Sequence, residues 1–388
     1  MATLTADQAL ANPVQRHCLS ASGISVETIA AQIVGLHNTN PVSPYLSLLA
    51  RLDGFQRADL DAAMWGSWDL ARFRAMRLTI FVLSHQLLEI AGAATRHISS
   101  LLADRWLRDS GLTPAAVRRL ESGVLEVLAD GPRTSRQLRA ALGVPQNVDL
   151  PGVVGRMCDK GTLVGGPPPG NWRSGVRQYH IWGDVLPTVD LERLAPRSAI
   201  NELVLRYIRA YGPVSIADIS WWTGFTKGRC RQTVARLRDD LEEVAVEGWP
   251  GPMYRTLDGE APAELSPAVK ALPMLDPYVQ GYRDRERLLD PKRHDFVYDG
   301  GGNSAATLVS LGRIVGVWQF AHKPAKQIRY HVFAAGPASL FASVGAALDA
   351  AGRLFFDSSF DLVQVAVMKP LTAAGGRSAL HPLDSQLH

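Results

Sequence analysis

The 388 residues are 46% hydrophobic and 20% charged, too many for one ordinary core and composed like soluble globular protein, so roughly two to four domains are expected. A net charge of +4 and a pI near 9.0 are only mildly basic, so composition alone does not argue for nucleic acid. No apolar run reaches the ~18 residues that suggest a membrane span, and the N-terminal MATLTADQALANPVQRHC lacks the basic start and apolar block of a secretory leader, so a cytoplasmic protein without membrane partners is expected.

Helical apolar spacing runs through residues 23–36 and 44–52, then 58–66, 69–76 and 84–104, so the first hundred residues read as mostly helical. At the junction of the first two patterns stands GLHNTNPVSPY, residues 35–45. Asn40 before Pro41 suits a helix N-cap followed by proline at the first helical position, and Asn38 can close the helix before it, so capping explains the turn as well as chemistry does. From Leu112 the order becomes helix, short helix, helix, strand (TLVGG), a Pro/Gly-rich loop and strand (RQYHIW), a long hairpin with its turn in PPPGNWRSGV. The order recurs over 198–257, ending in EEVAVEGW and MYRTL. Two such units read as winged helices, a helix-turn-helix with a hairpin wing.

The third helix of the later unit, 226–238, carries Lys227, Arg229, Arg231, Arg236 and Arg238, a pattern that fits phosphates in a groove or a solvated face. In the earlier unit's wing loop, Trp172 with Arg173 and Arg177 suits stacking and phosphate contact, or anchoring of the loop. Trp221 and Trp222 read as core packing. From about residue 270 the runs DFVYDG, AATLVSLG, RIVGVWQF, QIRYHVF and FDLVQVAVM look strand-like, which predicts a small β-barrel or curved sheet. PASLFASVGAALDAAGRLF interrupts them as a helix, and the tail after Lys369 reads as frayed. Cys18, Cys158 and Cys230 are widely separated and read as structural thiols; neither a metal site nor a cofactor loop is expected.

The stretch LPMLDPYVQGYRDRERLLDPKRHDFVY, residues 272–298, resembles a signature of the AlkZ-like DNA glycosylases, and YGPVSIADISWWTGF, EVAVEG and GRIVGVWQ follow the same pattern in order. That family is associated with self-resistance to DNA-alkylating antibiotics and with base excision repair. The resemblance implies an α+β fold of tandem winged-helix domains followed by a C-terminal β-barrel, arranged as a curved clamp. The expected divisions are a first winged-helix region over 1–112 with the motif turn at 35–41, a second over 113–190 with a long wing, a third over 191–262, and the barrel over 263–388. It implies hydrolysis of the N-glycosidic bond of N7- or N3-alkylated purines in double-stranded DNA, bulky adducts and interstrand crosslinks included.

The family's catalytic motif resembles Gln, an apolar residue, then Gln or Asp, after a helix ending in Gly-Leu. Gly35 and Leu36 keep that ending, but His37, Asn38 and Thr39 depart from the motif at all three positions. At 75–81 the family reads like Met-Arg-Gly-Thr-Leu-His; here Met76, Arg77 and Thr79 are kept, Leu78 stands for the glycine and Phe81 for the histidine. A cationic alkylpurine needs no protonation to leave, so the site need only place a water beneath C1′ and stabilise an oxocarbenium-like sugar. His37 could accept the water's proton, and Thr39 could orient the water. Arg77 could hold a phosphate or pair with a carboxylate such as Asp69; Tyr282, Arg283 and Arg285 are further candidate DNA contacts, alongside a self-paired reading of the Arg/Asp loop, and Asn40, Asp276 and Tyr278 are candidate lesion-pocket residues. With no lysine in the motif, monofunctional chemistry without metal or cofactor is expected, from a monomer. The departures leave a second expectation open: a DNA-binding protein of the same fold without catalysis, acting as a lesion sensor or regulator.

Overall fold

Side-chain caps open several of the helices. Thr5, Ser25, Thr113, Thr134, Ser215 and Thr226 each accept an N–H from the first turn of the helix that follows, satisfying a donor the helix leaves unpaired. Thr5, Thr134 and Ser215 do so reciprocally with Gln8, Gln137 and Asp218. The chain is described by a computed structural model over residues 2–19, 24–258, 264–323, 325–333, 335–366 and 369–374.

One element order recurs along the chain: helix, short strand, helix, helix, hairpin. It runs first through Val26–Gln32, Leu36–His37, Ser43–Leu49, Arg57–Asp61 with Ala62–Gly66, and the strands Leu70–Arg74 and Ile80–Ser84. It runs next through Pro114–Ala129, Arg133–Thr134, Ser135–Ala141, Leu150–Asp159, Leu163–Gly165 and Gln178–Ile181. In both, the second hairpin strand lies between the first and the short strand. The later run has Pro196–Tyr211, Ile216–Thr223, Lys227–Arg236, Leu241–Val246 and Met253–Thr256, with a single bridge from Val214 to Tyr254 in place of the short strand. An N-terminal strand, Ala2–Leu4, adds in parallel to Leu241–Val246.

Residues 69–76, expected as helix, instead form the strand Leu70–Arg74. LARFR buries Leu70, Ala71 and Phe73 and leaves Arg72 and Arg74 half-buried, and the partner Ile80–Ser84, in register from Leu70↔Ser84 to Arg74↔Ile80, selects the two-residue period. DFVYDG is likewise not a strand. The Asp290 side chain caps Pro291–Arg293, the helical turn His294–Val297 follows, and only Tyr298 bridges, to Ser304.

Contacts divide the chain into two compact units, one of Met1–Leu36, Ser43–Arg57 and Val204–His388, the other of His37–Val42 and Ala58–Leu203. In the second, the apolar faces of Pro114–Ala129 and Leu150–Asp159 meet Leu107, Leu138 and Leu163 in one core. The first holds a five-stranded sheet in the order Lys270–Leu272, Ala306–Ser310, Arg313–Ala321, Gln327–Val332, Asp361–Gln364. The expected barrel is not formed among the described residues: the sheet is open. The helix Ala338–Phe355 crosses over and makes Asp361–Gln364 parallel to Gln327–Val332, while its Ser343 hydroxyl accepts the Val269 N–H at 2.7 Å beside the opposite edge strand. This 18-residue helix has a mean hydropathy of 1.2, so one segment does reach the length and apolarity of a membrane span; Val344, Leu348, Ala351 and Gly352 form its buried face. The tail beyond residue 374 lies outside the described residues. Cys18 and Cys230 are buried, and burial pushes the Cys158 thiol up to about 12.

Candidate functional site

Gly35 has φ +102°, a conformation that only glycine adopts without strain, and it turns the chain out of the helix Val26–Gln32 into the extended residues that follow. Asn38 is anchored twice: its N–H donates to the Ile80 carbonyl at 2.7 Å, and its side-chain oxygen accepts from Arg72 Nε. His37 is 7% exposed, with its ring edge-on to Phe81 at 5.2 Å. Phe81 therefore fills the position where the resemblance places a histidine and packs against the imidazole that this chain carries in the turn. Thr39 is exposed, and its N–H donates to His37 Nδ1 at 3.5 Å. Asn40 is half-buried and accepts the Val42 N–H at 2.9 Å, a local turn before the helix Ser43–Leu49 rather than its N-cap. Asn38 does not close the preceding helix either; its oxygen is committed to Arg72.

These contacts fix what the imidazole can do. With Nδ1 accepting from Thr39, a neutral His37 carries its proton on Nε2, which then donates rather than accepts. In that tautomer Nε2 can only donate to an oxygen. To take a proton it must release the Thr39 N–H, a contact at the weak end of hydrogen-bond lengths.

Arg77 sits half-buried at the tip of the adjoining hairpin, where Arg77 and Leu78 have φ of 54° and 60°. In the wing loop Trp172 and Arg173 are half-buried, with the Arg173 guanidinium 5.8 Å from the Trp172 ring. Arg177 is not a surface contact. It is buried and donates to the carbonyls of Ser174 and Val176, the latter at 2.8 Å, so it braces its own loop.

In the other unit, the helix Lys227–Arg236 buries Cys230, Thr233 and Val234 and exposes Lys227, Arg229, Arg231 and Arg236. Thr226 caps its first turn. The 276–285 loop corrects several expectations. Asp276 is buried in a two-pronged ion pair with Arg51, at 2.8 and 2.9 Å, and also accepts from Ser47 at 2.7 Å. Tyr278 donates to the Gly312 carbonyl at 2.8 Å and Tyr282 to the Tyr211 carbonyl at 3.1 Å, both rings buried. Arg285 donates to the Val279 carbonyl at 2.7 Å, lies over the Tyr298 ring at 4.2 Å, and has its pKa lowered by burial. These four side chains are scaffold, with no surface to offer a lesion or a phosphate. Arg283 alone of the loop's site candidates is exposed, with its guanidinium 5.7 Å from the half-buried Trp221 ring. A cleft of about 910 Å³ in this unit, walled by Trp249, Leu288, Arg293, Ile314 and Phe333 among others, takes in none of the site candidates.

The family model described as DNA glycosylase AlkZ-like matches residues 30–354, spanning the turn, the three hairpins, the basic helix and most of the five-stranded sheet. The chain belongs to the AlkZ-like DNA glycosylase family. A relative from Streptomyces sahachiroi, named as an interstrand DNA cross-link repair glycosylase, is 27% identical over 239 residues, covering 57% of this chain and 62% of the relative. The chain thus spans under two thirds of that relative's length in the alignment. The solved structure of the Streptomyces sahachiroi DNA glycosylase AlkZ superposes with a TM-score of 0.75 at 20% identity, covering 94% of this chain and all of that one, a likeness of fold.

Each unit also holds groups that pattern reading missed. Arg72, now joined to Asn38, was hidden in a stretch read as helix. Arg74 from the same strand pairs with the buried Asp159 at 3.3 Å, whose carboxyl burial raises to about 6 although Arg74 opposes the shift. Asp218 is buried and accepts from the Arg283 N–H at 2.8 Å and from Arg287 at 2.8 Å. Its only advance signal was the Ser215–Asp218 capping spacing.

Proposed function

We propose that this chain is a monofunctional DNA glycosylase that hydrolyses the N-glycosidic bond of N7- or N3-alkylated purines in duplex DNA, bulky or crosslinked adducts included. The observation that carries the reading is the polar His37–Asn40 turn, anchored to a hairpin by both backbone and side chain, in a chain that matches the family model from residue 30 to 354. The three recurrences of helix, helix and hairpin are read as winged helices, within divisions at 1–112, 113–190, 191–262 and 263–388.

In the proposed reaction the C1′–N bond breaks with its electron pair, which neutralises the purine's positive charge, and a water adds to C1′. Thr39, exposed, orients that water. His37 takes that water's proton on Nδ1 once the Thr39 N–H is released. No lysine stands in the turn, so no Schiff base forms and the strand is left uncut. The exposed Lys227, Arg229, Arg231 and Arg236, with Arg283 and, at the hairpin and wing tips, Arg77, Trp172 and Arg173, supply backbone contacts. One chain presenting several such elements acts as a monomer.

The test is incubation with a duplex carrying N7-methylguanine, or a crosslink, followed by alkali. Strand cleavage above background is expected, and His37→Ala is expected to remove most of it. Tight binding with no cleavage on any alkylated duplex would replace the enzyme with a DNA-binding protein of the same fold.

A further inference from the structure

Alternate residues of a strand share a side, so the strand Leu70–Arg74 sends Arg72 and Arg74 the same way. Arg74 meets a carboxylate, Asp159. Arg72 meets a neutral amide: its Nε donates to Asn38 Oδ1. Gly165 leaves room for the guanidinium, since a side chain there would begin 3.1 Å from Arg72 Nη1. Asn38 is 3% exposed, and its own N–H is held by Ile80 at 2.7 Å. Ile80 and Arg72 lie on paired strands, with Arg72 opposite Val82. Main chain and side chain of the turn's middle residue are thus both tied to one hairpin. In an extended segment the flanking residues face away from the middle one, so holding Asn38 inward sets how His37 and Thr39 are presented. Arginine keeps its charge at every working pH and offers a planar fork that lysine lacks, so this restraint does not titrate away.

We propose that Arg72 is a positioning residue for the turn, acting through Asn38 to hold His37 and Thr39 in register. The proposal rests on the glycosylase reading of that turn. Base release under single-turnover conditions at saturating protein, dissociation constants on the same alkylated duplex, and melting temperatures are measured for the wild type, Arg72→Leu, Arg72→Lys, Asn38→Ala, the Arg72→Leu/Asn38→Ala double variant and Arg74→Leu. Arg72→Leu is expected to slow base release about 10- to 100-fold, the scale of a displaced reacting group, with DNA affinity changed less than about threefold. Arg72→Lys is expected to restore little. Asn38→Ala should match Arg72→Leu, and the double variant should be no slower than either, because one contact is broken in all three. Arg74→Leu removes the same charge from the same strand face and is expected to lower the melting temperature while leaving the rate intact.

A second readout does not need activity. The ¹⁵N shifts of the His37 ring report which nitrogen holds the proton; the wild type is expected to show Nε2–H, and Arg72→Leu a mixture of tautomers with faster amide exchange at Asn38 and Thr39. Weakened DNA binding with an unchanged rate would make Arg72 a phosphate contact instead. Additive single effects, or an unchanged His37 spectrum, would overturn the proposal. A wild type inactive on every alkylated duplex would sink the glycosylase reading, and the ring and amide measurements would still decide whether Arg72 holds the turn. Should Arg72→Leu fail to fold, Arg72→Lys and Asn38→Ala carry the same comparison.

Discussion

His17 has no exposed surface and no hydrogen-bond partner on either ring nitrogen. It stands edge-on to Tyr211 at 4.5 Å and Tyr278 at 5.4 Å, and burial, with Arg51 beside it, holds its pKa well below the usual imidazole value. The folded state therefore binds this proton less readily than the unfolded chain, so the stability that His17 contributes is present above pH ~6.5 and is lost as pH falls toward the depressed value. His17→Leu is expected to flatten the acid side of the stability profile, and to leave neutral-pH stability equal or higher, because two unsatisfied polar atoms costing about 1–3 kcal/mol each are removed. Urea titrations from pH 7.5 to 5 check this; an undiminished acid loss in the variant would refute it. Asp159 has the opposite sign. Its carboxyl is raised from 3.8 to about 6, so its contribution is full below the unfolded value and is lost as pH rises through about 6. Asp159→Asn should be more stable than the wild type at pH 7.5, by up to about 3 kcal/mol, and little different at pH 4. A lower melting temperature of Asp159→Asn at pH 7.5 would contradict the assignment.

At the scale of elements, the hairpin Leu70–Arg74/Ile80–Ser84 turns through Arg77 and Leu78, both left-handed. The strands are joined by residues 75–79, and left-handed positions in such a link favour glycine or asparagine. Leu78 is 41% exposed, so it gains little burial for the strained conformation. Leu78→Gly is expected to raise stability by about 1 kcal/mol, the left-handed penalty less the entropy of glycine; a fall in melting temperature would mean that Leu78 is held for another reason. The same hairpin shows what was legible in the residues. The capped helices, the TLVGG and RQYHIW wing and the EVAVEG and MYRTL hairpin were readable, because caps, breakers and alternation are local signals. LARFR was not, because five residues fit either period and the partner strand chose between them. The barrel expectation failed for a related reason: alternating runs declare strands, but which edges pair depends on where the helix Ala338–Phe355 crosses.

For the whole molecule, the proposed binding to DNA is the property that sums over elements. The exposed Lys227, Arg229 and Arg231 on one helix are expected to neutralise phosphates, and each such contact contributes about one unit to the slope of log K against log salt. Replacing all three with alanine should weaken binding to damaged and undamaged duplex alike and reduce that slope by up to about 3. Fluorescence anisotropy across a salt series measures it, and an unchanged slope would remove the helix from the interface. The residues by themselves determined the order of elements in the two later helix-and-hairpin runs, the resemblance from 272 to 298 and the position of the polar turn, since each is written in neighbours a few places apart. Only the tertiary structure decided which arginines reach solvent. In DPYVQGYRDRER the alternation of Arg and Asp is the same whether charges face water or each other, yet Arg285 is consumed by the carbonyls of Val279 and Gly302, Arg287 by an aspartate 69 residues earlier in sequence, and Arg283 stays exposed. A charge's partner is set by long-range packing, because the cost of burying it is met only where a distant acceptor has been brought within hydrogen-bond reach.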